Sequence, residues 1–293
     1  MEYNGVVLLN KPQGPTSHDM IYELRRIYST KKVGHTGTLD PMATGVLPVC
    51  IGNATKASDM LLSENKEYVA GIKFGIATDT GDITGIVTDR SNIIPDKEAL
   101  LNALDSFVGV YMQIPPMYSA KKVNGKKLCD LAREGKTLDR KPVPVEVYKI
   151  ELLENKSEND DFCIRVSCSK GTYIRVLCED IGKKLGTFAC MSSLTRTCSG
   201  EFKIENAYTL DELKCAARNG NLFETLIPTE KLFKYPKIIL SEKQSARMKN
   251  GVFVSHPDIT DGGIYRVFDS ESMFFAIAEC VDGRLRIKKS FRG

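Results

Sequence analysis

The sequence contains no tryptophan and only three histidines, His18, His35 and His256, and its nine cysteines include no C-x-x-C pair. Histidines this scattered, together with cysteines that lack paired spacing, argue against a zinc site. An odd number of irregularly spaced cysteines is typical of reduced thiols, so we expect a cytoplasmic protein. The composition therefore excludes the disulfide-rich secreted domains and the zinc-finger class.

Long apolar runs are also missing, since no stretch approaches the roughly 18 residues that a membrane span requires. The first residues are acidic and lead directly into a strand-like segment, so we expect no signal peptide and no membrane partner. The formal net charge of +4 is mild and permits an anionic partner without requiring one. A length of 293 residues favours one large domain followed by a small one.

One loop gathers glycines and small polar residues around a single carboxylate. Residues 34–41 read Gly-His-Thr-Gly-Thr-Leu-Asp-Pro, and an apolar run follows at 46–51. Glycines permit backbone angles that side chains forbid, and Pro41 disfavours a helical conformation at Asp40. The pattern predicts a rigid connection that presents Asp40 at the edge of a strand. The alternative is an ordinary turn in which the aspartate bonds only nearby backbone.

Periodicity and turn signals predict several elements around this loop. Residues 5–9 have the composition of a buried strand, and Ser17 is expected to be the N-cap of the helix that follows. Residues 75–85 are rich in glycine, aspartate and threonine and predict a polar loop. Residues 162–168 alternate with period two, which predicts a half-buried strand.

A second candidate site lies where a helix is predicted to begin, at Tyr173 and Arg175. An arginine gains nothing from the dipole at a helix N-terminus. Its position therefore indicates a specific anionic partner, and an ordinary surface salt bridge is the alternative.

Residues 121–142 form a basic segment, with eight Lys or Arg against three Asp or Glu and a local net charge of +5. Prolines and Tyr118 precede it. We expect an RNA-binding insertion at about 117–145, because cations clustered on one segment suit a polyanion. A solvated surface segment is the alternative.

The sequence pattern changes near Tyr235, and we place a boundary there between domains 1–235 and 236–293. Three strands are predicted in the second domain, at 264–268, 273–280 and 284–289. Period two places Arg284, Arg286 and Lys288 on one face of the last strand. The pattern predicts a small barrel with a basic side, which favours a nucleic-acid partner.

Taken together, these residues resemble the TruB family of tRNA pseudouridine synthases, which isomerise uridine 55 in the T-loop of tRNA. The likeness continues into the C-terminal region, which is similar to the PUA RNA-binding domain of bacterial members. Four stretches carry the resemblance, in family order: KP at 11–12 with Gly14 and Ser17, GHTGTLDP at 34–41 with ATG at 43–45, PPMYSA at 115–120, and GTYIR at 171–175.

The resemblance implies a fold and a set of roles. The fold is α/β (α+β), with a mixed, largely antiparallel central sheet flanked by helices and a small C-terminal barrel-like domain, and the family pattern fits a monomer. The implied roles are a catalytic aspartate at Asp40, an arginine paired with it at Arg175, a tyrosine stacked on the target base at Tyr68, contacts to the flipped nucleotide from His35, Tyr173 and Leu194, and a lysine supporting the loop at Lys11.

The implied chemistry needs neither cofactor nor metal, because nothing is oxidised and no group is donated. The N1–C1′ bond breaks, the uracil turns, and C5 joins C1′. A carboxylate can attack C1′ or C6, or it can remove the C2′ proton to give a glycal, and the sequence leaves these routes open. A guanidinium beside a carboxylate favours its ionised form and orients it.

Two other classes of protein are weighed against this interpretation. A phosphotransferase with an aspartyl nucleophile would place its aspartate before Thr-Gly-Thr, whereas Asp40 follows that tripeptide. A non-catalytic tRNA-binding or RNA-folding protein would retain the basic segments but would not need Asp40 and Arg175. The presence of both residues favours an enzyme.

Overall fold

The structure is a computed structural model that describes residues 3–62, 65–119, 121–123, 125–153 and 162–292. Within these ranges the chain forms one large sheet, one four-stranded sheet and two short hairpins. The strands, in chain order, are β1 (Gly5–Lys11), β2 (Val33–His35), β3 (Thr44–Ile51), β4 (Lys66–Phe74), β5 (Ile76–Thr78), β6 (Val87–Arg90), β7 (Gly109–Gln113), β8 (Lys122–Val123), β9 (Lys126–Lys127), β10 (Val143–Leu153), β11 (Phe162–Cys168), β12 (Ala189–Ser199), β13 (Phe202–Lys203), β14 (Lys237–Ile239), β15 (Ile264–Phe268), β16 (Phe274–Val281) and β17 (Arg284–Ser290).

Helices flank the large sheet and close its core. In the described part of the chain no helix is both long and apolar enough to cross a membrane. The α-helices are α1 (Ser17–Ile27), α2 (Ser58–Leu62), α3 (Lys97–Asp105), α4 (Leu128–Arg133), α5 (Ile174–Lys184), α6 (Leu210–Asn219) and α7 (Glu242–Lys249).

The large sheet has the strand order β1-β3-β12-β4-β11-β10-β7, with β2 added to β3 and β13 added to β12. All of its pairings are antiparallel except that of β12 with β3, where Thr195 lies beside Thr44 and Arg196 beside Gly45. The prediction of a mixed, largely antiparallel sheet is therefore confirmed. The parallel step brings the end of the Asp40 loop beside the centre of β12.

Helix α1 buries Met20, Ile21 and Leu24 in the core that it forms with this sheet. Its N-cap is Thr16, so the prediction of Ser17 was wrong by one residue. The Thr16 hydroxyl accepts from the backbone of Asp19, and the Asp19 carboxylate accepts from the backbone of Thr16, which completes a capping box. Ser17 is buried and its hydroxyl serves the Asp40 loop instead.

The predicted polar loop at 75–85 is partly ordered as strand. Strands β5 and β6 form a hairpin, and its connection carries Asp82, whose side chain is almost fully buried. The Thr80 hydroxyl donates to Asp82 Oδ1 over 3.0 Å, and the Thr84 N–H donates to the same oxygen over 3.1 Å. Threonines that look solvated in the sequence therefore hold a buried carboxylate.

The part of the chain that contains the basic segment leaves the large sheet and returns to it at a single residue pair. Gln113 ends β7 and pairs with Val143, the first residue of β10. Between them lie the short hairpin of β8 and β9 and helix α4, in which Leu128 and Leu131 are buried. The predicted insertion is thus a small folded excursion from the sheet.

The C-terminal strands form a sheet in the order β14-β15-β16-β17, with α7 beside it and a bridge from Val254 to Leu285. Leu285 is buried, whereas Arg284, Arg286 and Lys288 alternate with it on the more exposed face, as the period-two pattern predicts. The fold-class prediction of a second small β unit is confirmed.

A small apolar cluster joins the C-terminal sheet to the segment that follows β3 and to the segment that precedes β14. Phe233 packs in it with Ala57 from the N-terminal part of the chain and with Ile277 and Phe291 from the C-terminal part. Arg266 on β15 donates through Nε to the carbonyl oxygen of Tyr235 over 2.7 Å. These contacts attach the C-terminal sheet to the remainder of the chain.

Candidate active site

A cleft of about 280 Å³ opens over the middle of the large sheet. Its walls come from the Asp40 loop, the start of β4, the centre of β12, the segment at 118–119 and the start of α5. The lining residues are Gly37, Thr38, Leu39, Asp40, Leu62, Lys66, Tyr68, Tyr118, Ser119, Lys170, Gly171, Thr172, Tyr173, Ile174, Arg175, Leu194 and Arg196.

Asp40 and Arg175 are joined across the cleft, with Nη2 of the arginine 2.9 Å from Oδ2 of the aspartate. Arg175 lies in the first turn of α5, and Tyr173 is the residue that caps this helix without a side-chain hydrogen bond. The arginine that is misplaced for the helix dipole is thus turned towards a carboxylate.

Further bonds fix the guanidinium of Arg175. Nη1 donates to the carbonyl oxygen of Thr80 over 2.8 Å, and Nη2 donates to that of Tyr118 over 2.7 Å. Nε lies 3.9 Å from Oδ2 of the buried Asp82. Sequence reasoning missed Asp82, because nothing in a Gly, Asp and Thr-rich segment distinguishes a buried carboxylate from the solvated ones beside it.

Lys11 supports the backbone of the Asp40 loop without lining the cleft. Its side chain is fully buried, and Nζ donates to the carbonyl oxygens of Ala43 over 2.8 Å, Pro12 over 3.0 Å and Pro41 over 3.3 Å. Burial lowers the pKa of Lys11 to about 8, and the negative charge of Asp40 opposes that shift. The lysine therefore holds the backbone of the loop rather than lining the cleft.

Ser17 holds the same loop at its centre. Its hydroxyl donates to the carbonyl oxygen of Leu39 over 2.9 Å and accepts from the N–H of Leu39 over 2.8 Å. This is the physical reason that it does not cap α1. The residue beside Asp40 is bonded through both backbone groups, so the loop has little freedom to move.

Tyr68 stands on β4 in the wall of the cleft and is half-buried. Burial raises the pKa of the Tyr68 hydroxyl, and the neighbouring guanidinium of Arg196 opposes the rise. Leu194 lies on the adjacent strand β12, almost fully buried, and adds an apolar surface beside the tyrosine.

Tyr173 enters the cleft at the start of α5, and its backbone is held on both sides. The buried Gln113 accepts from the N–H of Tyr173 over 2.8 Å and donates to its carbonyl oxygen over 3.0 Å. The end of β7 is thereby fastened to the N-terminus of α5.

His35 ends β2 and lies beside the loop, and the described residues that line the cleft do not include it. The N–H of Gly37 points to Nδ1 of His35 at 3.4 Å, so this nitrogen acts as an acceptor. Burial, followed by the charge of Arg196, lowers the pKa of His35. Of the seven residues that the sequence analysis assigned to the site, five line the cleft, and His35 and Lys11 lie behind the loop.

Arg196 lines the cleft although only 1% of its surface is exposed. Sequence reasoning missed it as well. One signal was available: on a strand of period two, Arg196 shares the face of Leu194, and an arginine on an inward face needs specific partners.

The lining of the cleft is rich in positive charge. Lys66, Lys170, Arg175 and Arg196 face one carboxylate, Asp40. Such a cleft favours an anionic ligand. Among the residues that the structure describes, no group of three or more His, Cys, Asp or Glu is arranged to hold a metal ion.

Two family models match the chain. The TruB family pseudouridylate synthase (N terminal domain) matches residues 25–174, and the tRNA pseudouridylate synthase B C-terminal domain matches residues 175–234. The junction of the two matches falls between Ile174 and Arg175, within the first turn of α5.

Curated relatives match over nearly the whole chain. The tRNA pseudouridine synthase B of Francisella philomiragia is 46% identical over 297 residues, which cover 99% of this chain and 96% of the relative. The protein of the same name from Bacillus cytotoxicus is 43% identical over 283 residues, covering 94% and 92%.

Solved structures share the fold. A chain in the crystal structure of a Cbf5-Nop10-Gar1 complex superposes with a TM-score of 0.71 and 28% identity, covering 98% of this chain and 85% of that chain. A chain in the structure of an H/ACA RNP bound to a substrate RNA containing 2'-deoxyuridine gives a TM-score of 0.69 and 26% identity, covering 99% and 85%.

The mixed, largely antiparallel sheet and its cleft, together with these matches, define a pseudouridine synthase, which is an isomerase. More narrowly, the chain belongs to the TruB family of tRNA pseudouridine synthases.

Proposed function

We propose that this enzyme converts uridine 55 in the T-loop of tRNA into pseudouridine and that the carboxylate of Asp40 carries the chemistry. The support for the substrate is the name of the curated relatives, which are tRNA pseudouridine synthases, and the resemblance of the four motifs to the family that modifies this position.

The observation that carries the proposal is the pair formed by Asp40 and Arg175. Asp40 is the single carboxylate among the described lining residues, and Arg175 donates to its Oδ2 over 2.9 Å. The guanidinium holds one oxygen and leaves the other for the substrate. From that position the carboxylate attacks C1′ or C6, or removes the C2′ proton.

The remaining cleft residues have roles that suit a nucleotide. The ring of Tyr68 stacks on the uracil, and Leu194 and Tyr173 enclose the flipped nucleotide. Lys11 positions the Asp40 loop, and His35 contacts the RNA beside that loop. In the reaction the N1–C1′ bond breaks, the uracil turns, the C5–C1′ bond forms, and the proton lost from C5 is matched by one gained at N1.

Basic surfaces outside the cleft bind the remainder of the tRNA. Flipping a base out of a folded T-loop costs a few kcal/mol. Phosphate contacts from the predicted insertion at about 117–145 and from the exposed cations of β17 offset this cost. We assign residues 1–235 to the catalytic domain and 236–293 to a PUA-like RNA-binding domain, and we expect the enzyme to act as a cytoplasmic monomer.

The test is tritium release from a tRNA transcript made with 5-tritiated uridine, since C5 loses its hydrogen only when pseudouridine forms. Release should approach one tritium per tRNA. A matched transcript with cytidine at position 55 should release none. Equal release from both transcripts would show that the target lies elsewhere, and no release from either would overturn the assigned substrate.

A further inference from the structure

Helix α1 carries three side chains that are at least partly exposed and that line neither the core nor the cleft, namely His18, Tyr22 and Arg25. Residues three or four positions apart lie on the same side of a helix, so the three form one surface, which we call the α1 face. Tyr22 is 52% exposed, so about half of a large aromatic side chain lies in solvent. The α1 face is therefore open to a partner.

The three side chains of the α1 face contact one another. The rings of His18 and Tyr22 meet edge to face, with their centroids 4.9 Å apart and an angle of 86° between their planes. The guanidinium carbon of Arg25 lies 5.5 Å from the centroid of the Tyr22 ring. In an edge-to-face pair the ring that supplies the edge keeps both of its faces free, and Arg25 covers only one face of Tyr22. At least one aromatic face of the α1 face is therefore left uncovered by the other two side chains.

The α1 face has an uncompensated positive charge. Arg25 takes part in none of the ion pairs that the described residues form, and its Nε makes no hydrogen bond. The two acidic residues of α1 are engaged elsewhere. Asp19 completes the capping box with Thr16. Glu23 pairs with Arg26 over 3.5 Å. A cation without a carboxylate, set beside exposed aromatic rings, suits an anionic partner that has flat rings of its own, which is the chemistry of an unpaired RNA strand.

The α1 face begins directly beside the Asp40 loop. The Ser17 hydroxyl bonds both backbone groups of Leu39, at 2.9 Å and 2.8 Å, and His18 is the next residue of the helix. The far end of the α1 face lies about 10 Å along the helix axis, because each residue adds about 1.5 Å. The α1 face therefore extends from the edge of the Asp40 loop over a length that accommodates a nucleotide and its phosphate.

We propose that the α1 face binds the strand of the tRNA beside the flipped uridine, with a phosphate on Arg25 and a neighbouring base stacked on the free aromatic ring. A base that flips out of a loop leaves its neighbour without a stacking partner. The α1 face supplies a replacement ring and a cation next to the cleft, the combination by which proteins bind single-stranded RNA. This inference rests on the proposed function, since it takes tRNA as the substrate.

The test is filter binding of the tRNA transcript, and of the T-arm hairpin alone, over a series of salt concentrations. Arg25→Gln should lower the slope of log affinity against log salt by roughly 0.7 to 0.9, the effect of one phosphate contact. The matched control is Arg26→Gln, which makes the same charge change one residue away, on the side of α1 that faces α6, and should leave the slope unchanged. Tyr22→Leu should weaken binding at least about fivefold at every salt concentration, whereas Tyr22→Phe, which keeps the ring, should bind within about twofold of the unsubstituted enzyme.

Equal salt slopes for Arg25→Gln and Arg26→Gln would overturn the inference, because Arg25 would then contact no phosphate. Equal affinities for Tyr22→Leu and Tyr22→Phe would overturn the stacking. The losses should be the same with the T-arm hairpin as with the whole tRNA, and losses confined to the whole tRNA would show that α1 touches a distant part of the molecule. Only variants with the thermal unfolding profile of the unsubstituted enzyme are compared. Failure of the proposed function is distinct, because the unsubstituted enzyme would then release no tritium from position 55, whereas these binding measurements require no turnover.

Discussion

Arg175 and Asp40 share an ion pair but not an environment: the arginine side chain is 6% exposed, and the aspartate side chain is 38% exposed. The buried partner is the fixed one, held also by the carbonyl oxygens of Thr80 and Tyr118. The exposed partner keeps one oxygen open to the cleft. Under the proposed function, this asymmetry assigns the orienting role to Arg175 and the reacting role to Asp40, and the first two predictions depend on it.

Asp40→Asn should abolish turnover and spare RNA binding. The amide is nearly isosteric with the carboxylate but is neither a useful nucleophile nor a base. We expect the single-turnover rate to fall on the order of 10⁴-fold, as for other essential groups of this kind. Filter binding of the same transcript is the control. A rate within tenfold of the unsubstituted enzyme would mean that another residue carries the reaction.

Arg175→Lys should be costly although the charge is retained. An ammonium cannot reach Asp40, Thr80 and Tyr118 with the planar geometry of a guanidinium. We expect the single-turnover rate to fall more than tenfold, which corresponds to about 1.4 kcal/mol of transition-state stabilisation. The affinity for tRNA should change little. Weakened binding at a normal rate would instead identify Arg175 as a phosphate contact.

The sequence was most informative about cleft residues that stand in short, unusual motifs. It was least informative about cleft residues that are brought into contact only by the folding of distant segments. Asp40 and Arg175 stand in short, unusual stretches, and the structure brings them together. Asp82 and Arg196 lie in segments of ordinary composition, and their contacts depend on strand pairings between distant parts of the chain. Helix-capping propensity could not show that the Ser17 hydroxyl bonds to Leu39, because a serine at the start of a helix fits an N-cap equally well in the sequence.

Periodicity predicted a strand well where the alternation runs over many residues and missed a strand that is only three residues long. The strand at Phe162–Cys168 has the predicted limits, because alternation there is uninterrupted. The predicted loop at 75–85 is partly strand, since three residues are too few for periodicity to be detected. The domain boundary near Tyr235 stays a prediction.

Gly45→Ala should destabilise the fold severely. Gly45 has a φ of +105°, and an added Cβ would lie 2.2 Å from the backbone oxygen of Arg196. The matched control is Gly135→Ala, at a φ of +70° with no atom within 4 Å of the new Cβ. Backbone strain costs each variant about 1–3 kcal/mol. Urea unfolding should show a clearly larger destabilisation for Gly45→Ala, and equal values would show that the close approach is not tight.

The stability contributed by Lys11 should rise with pH. Its pKa is about 8 in the folded chain and 10.5 by the ordinary value when unfolded. Between these values the unfolded chain binds more protons, so the free energy of unfolding increases with pH by up to about 1 kcal/mol per unit. Urea unfolding at a series of pH values should show this slope, and Lys11→Met should remove it. Parallel curves for the two proteins would contradict the lowered pKa.

Replacing Arg284, Arg286 and Lys288 by glutamine should weaken tRNA binding and reduce its salt dependence. Removing one phosphate contact lowers the slope of log affinity against log salt by roughly 0.7 to 0.9. The single-turnover rate at saturating enzyme should not change. The control makes the same charge change at exposed cations of α1 and α6, namely Arg26, Lys214 and Arg218. Slopes that match between the two triple variants would show that β17 does not touch RNA.

The excursion between β7 and β10 leaves and re-enters the large sheet at the single pair Gln113 and Val143. A detour of this kind can be lengthened at low entropic cost without shifting either strand. Its fixed point in the cleft is Tyr118, whose carbonyl oxygen accepts from Arg175. Added residues are therefore tolerated beyond that point, for example at Gly135, and disruptive before it. The excursion can be exchanged for another segment, provided that the stretch from Gln113 to Ser119, which reaches the cleft, is kept.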